Sequence, residues 1–249
     1  MGYKIMNKAI SSPQNPKIKH IKKLLSDKQY RYDCAEYVIE GLGVFDNLNN
    51  AKEIYVREGI DLSFPQTDNL YVIHEKLFDL ISGTENSQGV LALVSIKVLS
   101  AEHINKNGRY VLLDKVQDPG NLGTIIRSAC AFGFDGIITT PGTVDPYSPK
   151  VVRSAAGTLN QLDIVRIDSI SQLSEFNVFA ASMEGKDIAN YAWPKSFILA
   201  IGNEATGLSD ELKNTAKEIL AIPISLKAES LNAAVSAAIM MYCSSTRSK

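Results

Sequence analysis

Apolar residues recur at helical spacing at Ile18, Ile21, Leu24 and Leu25 while lysines fill the opposite face, which predicts one amphipathic helix from Pro16 to Tyr30. The pattern then shortens. Tyr37 to Gly41 reads as a strand closed by glycine, Val44 to Leu48 as a helix, and Glu53 to Val56 and Leu70 to Ile73 as strands. Glu75 to Ile81 reads as a helix and Val90 to Ser95 as a last strand. This alternation predicts a small α/β domain over residues 1–97. The polar run Ser100 to Gly108 reads as a linker, placed over residues 98–109.

From residue 110 to 249 the chain alternates strand and helix more regularly. Strands are expected at Tyr110–Asp114, Gly136–Thr139, Asp163–Ile167, Val178–Ser182, Phe197–Ile201 and Ile219–Ile222. Helices are expected at Leu122–Phe132, Pro149–Ala155, Asp210–Ala216 and Leu231–Cys243. In the last of these, Leu231, Ala234, Val235, Ala238, Ile239 and Tyr242 mark one apolar face. Continuously apolar strands between helices predict a mainly parallel sheet, and in such sheets ligands bind in loops beyond the carboxyl ends of the strands.

Composition narrows the class. With 45% hydrophobic and 21% charged residues over 249 positions, a packed soluble protein is expected rather than a disordered one. The cysteines Cys34, Cys130 and Cys243 are odd in number and show no CxxC spacing. Cys130 and Cys243 fall on apolar helical patterns, so buried free thiols and a reducing, cytoplasmic location follow. No apolar run approaches the roughly 20 residues of a membrane span. His20, His74 and His103 share no ligand spacing, and no metal is expected. Trp193, before Pro194, reads as packing rather than a base-stacking ring. The formal net charge of −1 hides an asymmetry. Through Arg31 the chain carries Lys4, Lys8, Lys17, Lys19, Lys22, Lys23, Lys28 and Arg31 against Asp27 alone. That run is either a basic arm for a polyanion or a solvated helix face.

Three loops at expected strand ends carry the candidate chemistry. In Asp114-Lys-Val-Gln-Asp-Pro-Gly-Asn121, Pro119 and Gly120 make a turn and Asn121 is placed to cap the next helix. Asn121, Thr124 and Arg127 then share one helical face. A guanidinium there could hold a phosphate or carboxylate, or simply pair with a surface acid. The second loop, Ile201-Gly-Asn-Glu-Ala-Thr-Gly-Leu-Ser209, has glycines for close approach, Ser209 as a helix cap, and Glu204, which turn chemistry does not require. The third, Ile222 to Asn232, opens the last helix with Ser230 as its expected cap.

The order of these loops resembles a known family. Asn121-Leu-Gly-Thr-Ile-Ile-Arg127-Ser-Ala-Cys-Ala-Phe-Gly133 resembles the first signature of the SpoU/TrmH RNA 2′-O-ribose methyltransferases. Ile201-Gly-Asn-Glu204-Ala-Thr-Gly207-Leu-Ser209 resembles the second, and Ile222-Pro223 with Glu229-Ser230-Leu231-Asn232 the third. Ser148 to Gly157 is similar to a further family stretch. Ile224 and Leu226 depart from the family's methionine and glycine, which puts a different loop path there. The resemblance implies an α/β fold with a deep trefoil knot, a homodimer, and S-adenosylmethionine as methyl donor. The substrate it implies is structured RNA, with 23S ribosomal RNA favoured over tRNA because of the appended N-terminal domain. It implies Arg127, Asn121, Glu204 and Asn232 as catalytic residues. Gly202, Ile222, Leu231, Thr140, Ser182, Asn203 and Ser230 would line the cofactor site, and Lys17, Lys19, Lys22, Lys23, Arg153 and Ser154 would meet RNA. Two other classes remain to be separated by cofactor binding: a non-catalytic RNA-binding or assembly factor on the same fold, and an unrelated dehydrogenase. The dehydrogenase would need a glycine-rich dinucleotide loop that the sequence lacks.

Overall fold

The computed structural model describes residues 8–41, 49–60, 69–83, 87–97, 99–225 and 227–246. The chain divides into two compact units, residues 1–97 with 147–153, and residues 98–146 with 154–249. The helix expected at Val44–Leu48 and the departure at Leu226 lie outside the described residues.

In the first unit, β1 (Lys8–Ile10) is too short for the periodicity to reveal. It is followed by α1 (Pro16–Ser26), where Asn15 accepts the Lys17 amide and Pro16 occupies the first turn. Ile18, Ile21 and Leu24 are buried as the pattern requires. The helix does not run on to Tyr30. Asp27 leaves helical geometry at φ −118°, and its carboxylate takes the Tyr30 amide at 3.1 Å to begin α2 (Lys28–Cys34). A side chain that competes for backbone amides has overridden a continuous apolar stripe. Strands β2 (Glu36–Glu40), β3 (Ala51–Arg57) and β4 (Leu70–Ile73) follow, then α3 (Glu75–Asp79) and β5 (Val90–Ser95). The sheet order is β1-β4-β3-β5-β2, parallel across the first three strands and antiparallel across the last three. Tyr55, Leu91 and Leu93 of the sheet meet Ile18, Ile21 and Phe78 in its core.

The second unit contains β6 (Arg109–Leu113), α4 (Pro119–Ala131) and β7 (Gly136–Thr139). Helix α5 (Pro149–Ser154) follows, grouping with the first unit as far as Arg153. Then come β8 (Asp163–Arg166), β9 (Val178–Asp187), β10 (Phe197–Ile201), α6 (Asp210–Thr215), β11 (Glu218–Ala221) and α7 (Ala233–Thr246). Among the described residues these strands lie in the order β11-β9-β10-β6-β7-β8, each pair parallel. Strand β10 is buried along its whole length, as a strand covered on both faces must be. The chain leaves β6 toward β7 in one direction and returns through β9 to β10 on the other side. The crevice between β6 and β10 is therefore a topological switch point, and Ile201 is in register with Leu113 at its carboxyl end.

Four expectations need correction. The stretch read as a linker packs on the second unit: Leu99 bridges Val165, Ile104 is buried, and the Asn105 amide donates to the Tyr110 hydroxyl at 3.1 Å. Strand β9 is twice as long as the apolar run suggested. The residue of β9 that pairs with β11 jumps from Ala180 to Lys186 as β11 advances from Ile219 to Leu220, so the intervening residues of β9 bulge out. Gly185 permits this, because a Cβ there would lie 2.6 Å from Leu220 main-chain atoms. In α7 the buried face is Ala234, Ala237, Met240, Met241 and Ser244, whereas Val235 and Tyr242, assigned to the core face, are 47% and 56% exposed. The cysteines form no disulfide, as expected, but they are half-buried rather than buried. Trp193 is buried among Phe179, Tyr191 and Phe197, which bears out its packing role.

Candidate active site

The loops leaving β6 and β10 are bonded to each other step by step. Asp114, almost fully buried, accepts the Ser209 amide at 2.8 Å. The Lys115 carbonyl accepts Asn203 Nδ2 at 2.8 Å. The Glu204 carboxylate accepts the Gln117 and Asp118 amides, each at 3.2 Å, and Asn121 Nδ2 at 2.9 Å. Asn121 Oδ1 in turn accepts Asn232 Nδ2 at 2.9 Å. Asn232 Oδ1 accepts the Ala234 and Val235 amides at 2.9 and 3.2 Å, which makes Asn232, not the expected Ser230, the cap of α7.

The polarity of this chain follows from its end. An ionised carboxylate only accepts, so Asn121 must turn its amide nitrogen to Glu204 and its oxygen to Asn232, which then offers its own oxygen to α7. Partial burial pushes the Glu204 carboxyl up, but the bond from Asn121 and those from the amides of Glu204, Gln117 and Asp118 outweigh it. Its pKa lies below the ordinary glutamate value. The folded chain therefore binds this proton less readily than the unfolded one. The stability it contributes is complete above the ordinary carboxylate pKa and is lost as pH falls through the lower, folded value. Glu204→Gln is expected to melt below wild type at neutral pH, with the gap closing on acidification into that window. Thermal melts across the acid range check this, and a gap independent of pH would contradict it.

Helix α4 begins earlier than its apolar pattern suggested. Asp118, rather than Asn121, is the cap, accepting the Asn121 amide at 2.8 Å, and Pro119 takes the first turn. The Asp-Pro pair was the available signal. Relieved of capping, the Asn121 side chain is free to bridge Glu204 and Asn232. Arg127 lies six residues further along the helix, exposed, with no hydrogen bond or ion pair among the described residues. Gly123 lets the end of α5 approach, since a Cβ there would stand 2.3 Å from Ser154 Cβ. Ser154 is half-buried and donates to the Gly120 carbonyl at 3.2 Å.

The expected cofactor residues divide. Gly202 and Asn203 form a tight hairpin with Gly207, closed by reciprocal 2.9 Å bonds between Asn203 and Gly207. Asn203 Oδ1 is occupied by the Ala205 and Thr206 amides. Thr140 is buried and joins the ends of β6 and β7, accepting the Lys115 amide at 3.1 Å and donating to the Leu113 carbonyl at 3.2 Å. Ser182 sits in the β9 bulge, where its hydroxyl meets the Glu184 amide at 3.5 Å. Ile222 and Leu231 are half-buried and Ser230 is exposed, in the segment between β11 and α7.

In the first unit, Lys17 is paired with Glu53 and lies over the Tyr71 ring, so it is not a free cation. Lys23 lies over Tyr30 at 4.6 Å, while the ammonium groups of Lys19 and Lys22 are exposed with no partner among the described residues. Arg153 is exposed, its guanidinium against Gly83.

The profile of the SpoU rRNA Methylase family matches residues 108–242, which contain every bond of the Glu204–Asn121–Asn232 chain. The 23S rRNA (guanosine(2553)-2′-O)-methyltransferase of Bacillus subtilis is 32% identical over 94% of this chain and 98% of its own. The 23S rRNA (uridine(2479)-2′-O)-methyltransferase of Streptomyces viridochromogenes is 31% identical over 71% of this chain and 67% of its own. Among solved structures, the AdoMet-bound rRNA methyltransferase from Sinorhizobium meliloti superposes with a TM-score of 0.84 at 29% identity, covering 97% of this chain and 98% of that one.

Proposed function

This chain belongs to the SpoU rRNA methylase family, and from that premise we propose that it transfers a methyl group from S-adenosylmethionine to a ribose 2′-hydroxyl of 23S ribosomal RNA. The observation that carries the reading is the Glu204–Asn121–Asn232 chain, which draws three separated loops to one switch point at the start of the helix that carries Arg127, an exposed cation with no partner among the described residues. The residues suit the cofactor. Ile222, Ile224 and Leu231 offer half-buried apolar surface for an adenosyl group, and Gly202 and Gly207 leave main chain bare of side chains. When bound, S-adenosylmethionine supplies a methyl group on a sulfonium, which is a good leaving group. The protein's own part would be to align the hydroxyl, let its proton leave to water and stabilise the charge that grows on its oxygen.

Arg127 meets that need as a permanent cation with a planar fork, gripping the phosphate beside the target ribose and stabilising the developing alkoxide. Asn121, fixed by Glu204 and Asn232, sets the first turn of α4 and with it the direction of the face that bears Arg127. Exposed Lys19 and Lys22 add charge for RNA phosphates, and Lys23 and Arg153 are further candidates. The reading is tested by labelled methyl transfer to ribosomal RNA from cells lacking the activity. Label mapping to one 2′-O-methyl nucleotide supports it and also assigns the nucleotide, since the two named relatives modify different ones. No label, with no donor binding, overturns it.

Two finer features belong to the same reading. The bond from Asn232 to α4 ties the chain end to the first loop of the unit, which supports a knotted path after β11. The second apolar face of α7, with Val235 and Tyr242 exposed, supports a homodimer through that helix. Val235→Glu with Tyr242→Glu is expected to sediment as a monomer where wild type sediments as a dimer. Identical sedimentation would place the interface elsewhere. Among the described residues no helix is long and apolar enough to cross a membrane, and a ribosomal RNA substrate supports the cytoplasm.

A further inference from the structure

Lys115 is the second residue beyond β6, and its φ of +59° lies in the left-handed region, which costs a non-glycine residue conformational energy. Two bonds hold it there: its amide donates to Thr140 Oγ1 at 3.1 Å, and its carbonyl accepts Asn203 Nδ2 at 2.8 Å. The side chain is guided as well. Gly142, at φ +94°, has no Cβ, and one built there would stand 3.3 Å from Lys115 Cγ and 3.8 Å from Cδ, so the lysine stem lies across that glycine. Beyond this stem the side chain is exposed, and the ammonium has no acidic or hydrogen-bonding partner among the described residues.

Glycine would occupy this backbone without strain. A long cation held in a glycine conformation, clamped at both peptide groups and seated along its stem, is positioned for a ligand. Asn203, which grips Lys115, is the chain neighbour of Glu204, which grips Asn121, so one hairpin fixes both the lysine and the helix face bearing Arg127.

We propose that the Lys115 ammonium binds an RNA phosphate flanking the nucleotide that is methylated, a second backbone contact alongside that of Arg127. The proposal rests on the RNA methyltransferase reading. The test uses the full chain, with wild type, Lys115→Gly and Lys115→Arg compared for binding to 23S ribosomal RNA across a salt titration. Binding of S-adenosylmethionine and melting temperature are measured in parallel. Lys115→Gly is expected to bind RNA about 5–10-fold more weakly, with a log–log salt slope shallower by about one. Its melting temperature should not fall, and Lys115→Arg should keep both affinity and slope. The proposal is overturned if Lys115→Gly binds RNA with wild-type affinity and slope. It is equally overturned if the loss is confined to S-adenosylmethionine, which would assign the ammonium to the donor's carboxylate. Should wild type bind RNA without methylating it, the catalytic reading fails, while the binding comparison still decides the role of Lys115.

Discussion

Arg127→Ala is expected to lower methyl transfer to ribosomal RNA by about 10²–10³-fold, the usual cost of removing one preorganised charge stabiliser, while leaving donor affinity and melting temperature unchanged. The separation follows from the site. Arg127 is exposed on α4 and bonded to nothing among the described residues, so its loss opens no cavity and strands no buried partner. Among the described residues its bonding capacity is unspent and available to substrate. A guanidinium offers two parallel donors to a phosphate where an ammonium offers a point charge, so Arg127→Lys should recover only part of the rate. Steady-state kinetics divide its two roles. A rise in KM alone would reduce Arg127 to a phosphate grip, whereas a fall in kcat places it at the developing alkoxide. Wild-type kcat and KM in Arg127→Ala would remove it from the site.

The strands of the second unit were legible because each is a short apolar run bounded by polar residues, as in Phe197–Ile201 and Gly136–Thr139. The faces of α7 were not. Its sequence Ala-Ala-Val-Ser-Ala-Ala-Ile-Met-Met-Tyr is apolar all round, so periodicity cannot say which side meets α4, and small Ala234 and Ala237 pack inward while Val235 and Tyr242 do not. Local polar competition also hid boundaries. Asp27 divides the first helix, Asp118 starts α4 ahead of Asn121, and Asn232 displaces Ser230 as a cap. In the site, Asn121, Glu204 and Asn232 were named by resemblance, but their mutual bonds depend on β6 and β10 being neighbours, and strand order is not encoded in any local window. Asn203 and Thr140 show the converse. Both were read as cofactor residues, and both spend their side chains on the peptide groups of Lys115 and its surroundings.

Gly202→Ala is expected to damage fold and site together. A Cβ at this position would lie 2.4 Å from Gly207 C, 2.5 Å from Leu208 N and 2.6 Å from Gly207 O, all main-chain atoms with no rotamer to move aside. The hairpin cannot open cheaply, because Asn203 and Gly207 exchange two backbone bonds and Asn203 Oδ1 holds the turn between them. Forced overpacking of this kind costs about 1–3 kcal/mol, or about 2–12 °C in melting temperature for a chain of this size. Whatever movement relieves the clash also shifts Asn203 and Glu204, and through them the Lys115 carbonyl, the Gln117 and Asp118 amides and Asn121. Methyl transfer should therefore fall, and donor affinity with it. Gly207→Ala is the control within the same hairpin. Its Cβ would meet nothing within 4 Å, so it bears only the cost of φ +69°, about 1 kcal/mol. If Gly202→Ala melts and transfers no worse than Gly207→Ala, the close approach is not what holds the site. If it is far worse, the missing methyl group at residue 202 is what allows one short hairpin to organise the strand ends, the helix cap and the catalytic face at once.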